Sequence, residues 1–116
     1  MALRRFVQKI ARPIEEIDRE KLEEFTRSCG VDRIDGIEKR TRVRVAGEIK
    51  SVRIVPRAGA AAVEATVNDG SGSVTAVFLG RRRVGGVTNG RRLVLEGMVV
   101  ADGPRQLIYN PVYELR

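Results

Sequence analysis

In the second part of this chain the groups able to do chemistry are carboxylates and guanidiniums, and their spacing separates catalysis from binding. Histidine is absent from all 116 residues. That removes neutral-pH proton shuttling, imidazole metal ligands and every Ser-His or Cys-His nucleophile pair. A carboxylate-only reaction needs acids placed together, and Glu48, Glu64, Asp69, Glu96, Asp102 and Glu114 are scattered along residues 41 to 116 without clustering. Asp69-Gly70-Ser71-Gly72 offers one carboxylate, too few oxygen ligands for Mg²⁺ or Ca²⁺, and reads as a turn. Cys29 is the only cysteine, so no internal disulfide or thiolate zinc cluster can form. The chain reads as a non-enzyme that uses no metal or cofactor.

The basic residues point to a partner. Residues 1 to 40 carry ten Lys or Arg against nine Asp or Glu, whereas residues 41 to 116 carry twelve against six. Nearly all of the formal net charge of +7 therefore lies in the second part. A basic excess on a small rigid domain attracts phosphate and steers encounter, which makes nucleic acid the leading partner class. The run Arg81-Arg82-Arg83 invites a phosphate-clamp reading, because Arg pairs bidentately with phosphate oxygens. Consecutive side chains diverge, however, and this connector is expected to lie away from the binding face. No apolar run approaches the roughly 18 residues that span a bilayer, and no secretory leader opens the chain. No membrane partner is expected, and a reducing cytoplasm is the expected location.

Two kinds of element must position these groups. In residues 1 to 40, Leu3, Phe6, Val7, Ile10, Ile14, Ile17, Leu22 and Phe25 recur at three- and four-residue steps, the spacing of an amphipathic helix. Pro13 lacks an N–H and suits a helix opening, so a helix is expected over about residues 13 to 28. Its apolar stripe, Ile14, Ile17, Leu22 and Phe25, is expected to cap the open end of a barrel, and the apolar side of Leu3–Arg12 to rest on the barrel or on a second subunit. The basic segment Leu3–Arg12 also has the pattern of a membrane or nucleic-acid arm. Residues 31 to 41 read as a surface linker.

From Arg42 the period changes to two. Val43, Val45, Gly47 and Ile49 fall on one face, and the phase shifts before Val52 and Ile54, which predicts a bulge near Lys50 or Ser51. Pro56 to Ala60 are expected to break the first strand from the second. In the second strand Val63, Ala65 and Val67 should face the core and Glu64, Thr66 and Asn68 should face out. Asp69 to Gly72 then turn the chain into a third strand, with Val74, Ala76 and Phe78 inward and Thr75, Val77 and Leu79 outward. A Gly-rich connector follows, with room for a single turn over the barrel end. A fourth strand over Arg91 to Val100 has Leu93 and Leu95 inward, and a last strand runs through Gln106 to Tyr109 until Asn110-Pro111 ends its regular part. This order suits an all-β core with an N-terminal helix, organised as a helical segment and linker over 1–40 and a five-stranded barrel over 41–116.

Arg42-Val-Arg-Val-Ala-Gly-Glu-Ile, Asp69-Gly-Ser-Gly-Ser-Val, Phe78-Leu-Gly, Gly90-Arg-Arg-Leu-Val-Leu-Glu-Gly-Met-Val and Ile108-Tyr-Asn-Pro-Val-Tyr together resemble the OB-fold nucleic-acid-binding family of the tRNA-anticodon and RecG-helicase-wedge type, and within it small stand-alone bacterial proteins. The resemblance implies a Greek-key barrel that binds single-stranded DNA or RNA across strands 2 and 3 and the loops joining strands 1 to 2 and 4 to 5. Carried onto this chain, that face comprises Lys50, Arg53, Arg57, Thr66, Asn68, Thr75 and Arg105. The outward residues of strands 2 and 3 include no aromatic, whereas single-strand binders stack bases on aromatics worth about 1–3 kcal/mol each. Binding dominated by phosphate contacts is therefore expected. Phe78 is assigned to the core, and Tyr109 and Tyr113 are left open between packing and stacking. The alternative is a protein-interaction module that docks on a larger nucleic-acid-processing machine through exposed Val77, Leu79 and the N-terminal stripe.

Overall fold

The computed structural model describes residues 14–116. The readings placed on the basic segment Leu3–Arg12 and on Pro13 lie outside the described residues. Helix α1 spans Ile14–Ser28, and a 3-10 turn at Ile34–Gly36 leads into six strands, β1 (Arg42–Arg57), β2 (Ala60–Asn68), β3 (Ser73–Leu79), β4 (Arg92–Asp102), β5 (Arg105–Tyr109) and β6 (Val112–Leu115). Strands β1, β2, β3, β5 and β4 form a closed ring, because β1 pairs with both β2 and β4. All pairings are antiparallel except β3 with β5. This is the expected five-stranded Greek-key barrel. The extra strand β6 extends the β4 edge beyond Asn110-Pro111.

Ring closure depends on how β1 changes partners. Residues 42 to 48 pair with β4, residues 48 to 57 pair with β2, and the register slips between Ile49 and Ser51. The slip is the expected bulge, and it turns the strand from one neighbour to the next. Gly47 lies just before it. A Cβ there would meet the Asn68 carbonyl oxygen at 2.5 Å, so glycine permits the close approach of β2 that closes the ring.

Pro56 does not end β1. The strand runs on through Arg57, and the connection to β2 is the two-residue turn Ala58–Gly59, with φ of 49° and 79°. Two consecutive positive φ values match the turn whose twist suits a hairpin. Proline needs a position that donates nothing to the ladder, and beyond Glu48 β1 has a partner on one side only.

Val43, Val45, Ile49, Val63, Ala65, Val67, Val74, Ala76, Phe78, Leu93, Leu95, Val99 and Ile108 form the core, as the period-two pattern requires. Segments outside the strands complete it. Val84 and Val87 of the β3–β4 connector enter the cluster, joined by a single turn in which the Val87 N–H donates to the Val84 carbonyl. Ile34 enters as well, so residues 31 to 41 are more than a surface linker. No described residue of helix α1 joins the barrel core, so its apolar stripe does not bury the barrel end, contrary to expectation. The helix packs against β1, with Glu23 beside the β2–β3 turn at Gly70 and the Phe25 ring centroid 5.0 Å from the Arg92 guanidinium. Of the described residues of the apolar stripe only Leu22 is buried, while Ile14 is 72% exposed.

Candidate nucleic-acid interface

Strand pleating places Arg53, Val55 and Arg57 of β1 on the outer face with Glu64 and Ala62 of β2, and the ladders extend this face through Val77 of β3 to Tyr109 of β5. At its centre is Glu64, which is only 4% exposed. Three guanidiniums converge on it. Arg53 Nη2 donates to Oε1 at 3.1 Å, Arg105 Nη1 donates to the same oxygen at 3.1 Å, and Arg57 Nε donates to Oε2 at 3.0 Å with its Nη2 also 3.0 Å away. Burial pushes the Glu64 carboxyl up, but the hydrogen bonds from Arg105, Arg57 and Arg53 outweigh it and hold the group below the usual carboxylate range. The Glu64 carboxylate thus stays ionised under its arginine cover.

The three arginines are not equivalent. Arg57 uses its remaining nitrogen, Nη1, to donate to the Tyr109 hydroxyl at 2.9 Å, and its guanidinium carbon lies 5.5 Å from that ring's centroid. It is engaged at every nitrogen, and its side chain is 23% exposed. Arg105 is shared between Glu64 and Asp102, whose Oδ2 accepts from Nη2 at 3.0 Å. Arg53 reaches Glu64 through Nη2 with its side chain 63% exposed, so most of its hydrogen-bonding fork faces solvent. Tyr109 is 39% exposed, near the exposed Leu79 on the same face. Beneath them Ala62, Val77 and Leu107 form a small apolar cluster with Val55 and Val100.

Of the seven residues picked from the sequence, the structure brings Arg53, Arg57 and Arg105 together. Thr66 and Thr75 pair on the same face, but Thr75 is buried and presents nothing to a ligand. Asn68 is occupied by the β2–β3 turn, donating to Ser73 Oγ and accepting from the Gly70 N–H. Lys50 pairs with Glu48 at 2.6 Å. Both Lys50 and Asn68 line a separate open cavity of about 450 Å³ beside Asp18, Arg19 and Leu22 of the helix. Arg81, Arg82 and Arg83 are exposed on the connector. Val77 is fully buried, which removes it from the docking surface considered above. Glu64 and Tyr109 are the members of the site that the residue pattern left unassigned. Tyr113, the other tyrosine, packs edge-on against Phe78 with ring centroids 5.6 Å apart. Among the described residues no cluster of three or more potential ligands forms a metal site, and no helix is long and apolar enough to cross a membrane.

No family model and no curated protein sequence matches the chain. Solved structures do. The chain is similar to the HINb domain of p204 (TM-score 0.59, 13% identity, 78% of this chain and 49% of that one). It is also similar to a chain of a Replication Protein A heterotrimer bound to single-stranded DNA (0.50, 14%, 76% and 73%) and to RecG bound to a three-way DNA junction (0.52, 18%, 84% and 14%). It thus spans about half of the HINb chain and a small part of RecG. At these identities the likeness establishes the fold, an OB barrel.

Proposed function

We propose that this protein is a non-enzymatic nucleic-acid-binding OB domain that holds a single strand, or a single-stranded part of a structured DNA or RNA, mainly through its phosphates. The observation that carries the reading is the arginine-rich outer face. Arg53 and Arg105 are fixed by a buried carboxylate yet remain 63% and 38% exposed, and a half-exposed tyrosine stands beside them. Fixed guanidiniums bind phosphate at a lower entropic cost than free ones. The scatter of carboxylates supports a non-enzymatic role, and the fold likeness to structures with bound DNA supports the partner class.

Anisotropy of a labelled single-stranded oligonucleotide, titrated with salt, tests the reading. With about four phosphate contacts, log K falls against log salt with a slope near −0.7 per contact, about −3 in all. Arg53→Ala leaves Glu64 with two guanidinium partners and removes one contact, so affinity falls several-fold and the slope flattens by roughly 0.7. Arg82→Ala removes the same charge from the connector and has the smaller effect. Equal losses from the two variants, or a salt-independent affinity, would refute a phosphate site on this face.

A further inference from the structure

The contacts around Glu64 form a chain of fixed orientation. The carboxylate is anchored on β2 in the middle of the sheet, Arg57 grips it with two nitrogens, and the third nitrogen of Arg57 holds the Tyr109 hydroxyl. A planar guanidinium hydrogen-bonded at Nε and Nη1, with Nη2 in the ion pair, has little freedom left. The tyrosine is therefore held at both ends, by its backbone in β5 opposite Val77 and by its hydroxyl against Arg57. Among the described residues it is the aromatic that faces solvent on the cationic face, since Phe78 is in the core, Tyr113 packs on it, and Phe25 lies on the helix against Arg92. A base has a π-face whatever its identity, and stacking on a protein aromatic contributes about 1–3 kcal/mol. A ring already fixed in place loses less freedom when the base arrives.

We propose that Glu64 is a positioning residue: acting through Arg57 it fixes Tyr109 as a seat for one unpaired base, so that a negative charge within a cationic face strengthens single-strand binding. This rests on the nucleic-acid reading above. It also makes a prediction opposite in sign to simple charge counting. Glu64→Gln raises the formal net charge of +7 by one, and a phosphate ligand drawn only by the field binds such a variant more tightly. If Glu64 positions the tyrosine, the same variant binds a single strand more weakly. A duplex, whose bases are stacked away, does not bind more weakly.

The test compares wild type, Glu64→Gln, Arg57→Lys and Tyr109→Leu on an oligothymidine of about 20 nucleotides, longer than the ~4–16 nucleotides that one OB barrel covers, and on a duplex of equal length. Arg57→Lys keeps the net charge and cannot reach Glu64 and Tyr109 together, so it serves even if the Gln variant fails to fold. Each variant is expected to lose about fivefold or more on the single strand and to show no loss on the duplex. Combining Tyr109→Leu with Glu64→Gln is expected to add little. A ligand-free measurement stands beside these. In spectra of tyrosine-labelled protein, the Tyr109 ring signals shift in Glu64→Gln and in Arg57→Lys while those of Tyr113 stay put. Single-strand binding by Glu64→Gln or Arg57→Lys at or above the wild-type level overturns the proposal, as does an unmoved Tyr109 signal. A wild-type protein that binds neither oligonucleotide overturns the nucleic-acid reading itself.

Discussion

Glu64 and Asp69 sit five residues apart around the end of β2, and both carboxylates are almost inaccessible. Their partners differ in kind. Asp69 Oδ1 accepts from the N–H groups of Ser71 and Gly72 and from the Ser71 hydroxyl, and Oδ2 accepts from the N–H of Ile34. These donors are neutral, four in number, and three of them belong to the turn itself. Asp69 therefore closes the hairpin and pins the segment carrying Ile34 into the core, leaving nothing over for a ligand. Glu64 instead gathers three cations from β1 and β5, and two of them reach past it into water. A buried carboxylate bonded to neutral donors holds a fold together. One bonded to an excess of guanidiniums arranges a surface that is still positive.

The contrast is broken most easily at Asp69. Asp69→Ala strands the buried N–H of Ile34 and removes the turn's acceptor, at a cost of about 3 kcal/mol, and the melting temperature is expected to fall by about 10 °C or more. An equal or greater fall for Glu64→Ala would reverse the assignment of roles. The expected loss there is about half as large, because the arginines freed by that change can turn to water.

The difference sharpens in acid. The folded-state pKa of Glu64 lies below its unfolded value of about 4.3. Its contribution to stability is therefore complete above that value and is lost as pH falls through the folded pKa. Thermal melts taken from about pH 6 down to about pH 3 are expected to show wild type losing more stability below the unfolded value than Glu64→Gln does. Parallel curves for the two would show that the arginines do not stabilise the ionised form. The smallest effect is expected for Ser71→Ala. It removes a donor to Asp69 and the acceptor of the Asp35 N–H, costs about 1 kcal/mol, and leaves oligonucleotide affinity unchanged in the anisotropy assay.

The inward residues named for the first four ring strands were legible in the sequence, because alternation specifies which face of a strand meets the core, whereas the inward face of the last strand was left unassigned. The bulge was legible too, since it changes the phase of that alternation between Ile49 and Val52. Pro56 concealed the hairpin. Treated as a break, it hid the two-residue turn at Ala58–Gly59, and only that turn sets the register that puts Arg53 opposite Glu64. The burial of Glu64 was invisible for a related reason. Period two assigns it correctly to the outer face but says nothing of what covers that face, and here the cover is the stems and heads of arginines from both ends of the barrel sequence. Helix α1 was recognised by its stripe, yet its resting place was not, because periodicity states that a face is apolar without naming the surface it meets.

The double pairing of β1 also bears on how the chain acquires its shape. The β1–β2 and β2–β3 hairpins join residues near in sequence, while the β1–β4 ladder brings Arg42–Glu48 to Arg92–Met98, a contact across most of the barrel sequence. Contacts of such separation form at a high loop-closure cost and slow the folding of small β domains to milliseconds or longer. The ring is therefore expected to shut late, after a three-stranded sheet has formed. Until then the future core face of that sheet lies open, as do the unpaired edges of β1 and β4, and in that interval this chain is most exposed to pairing with its own copies.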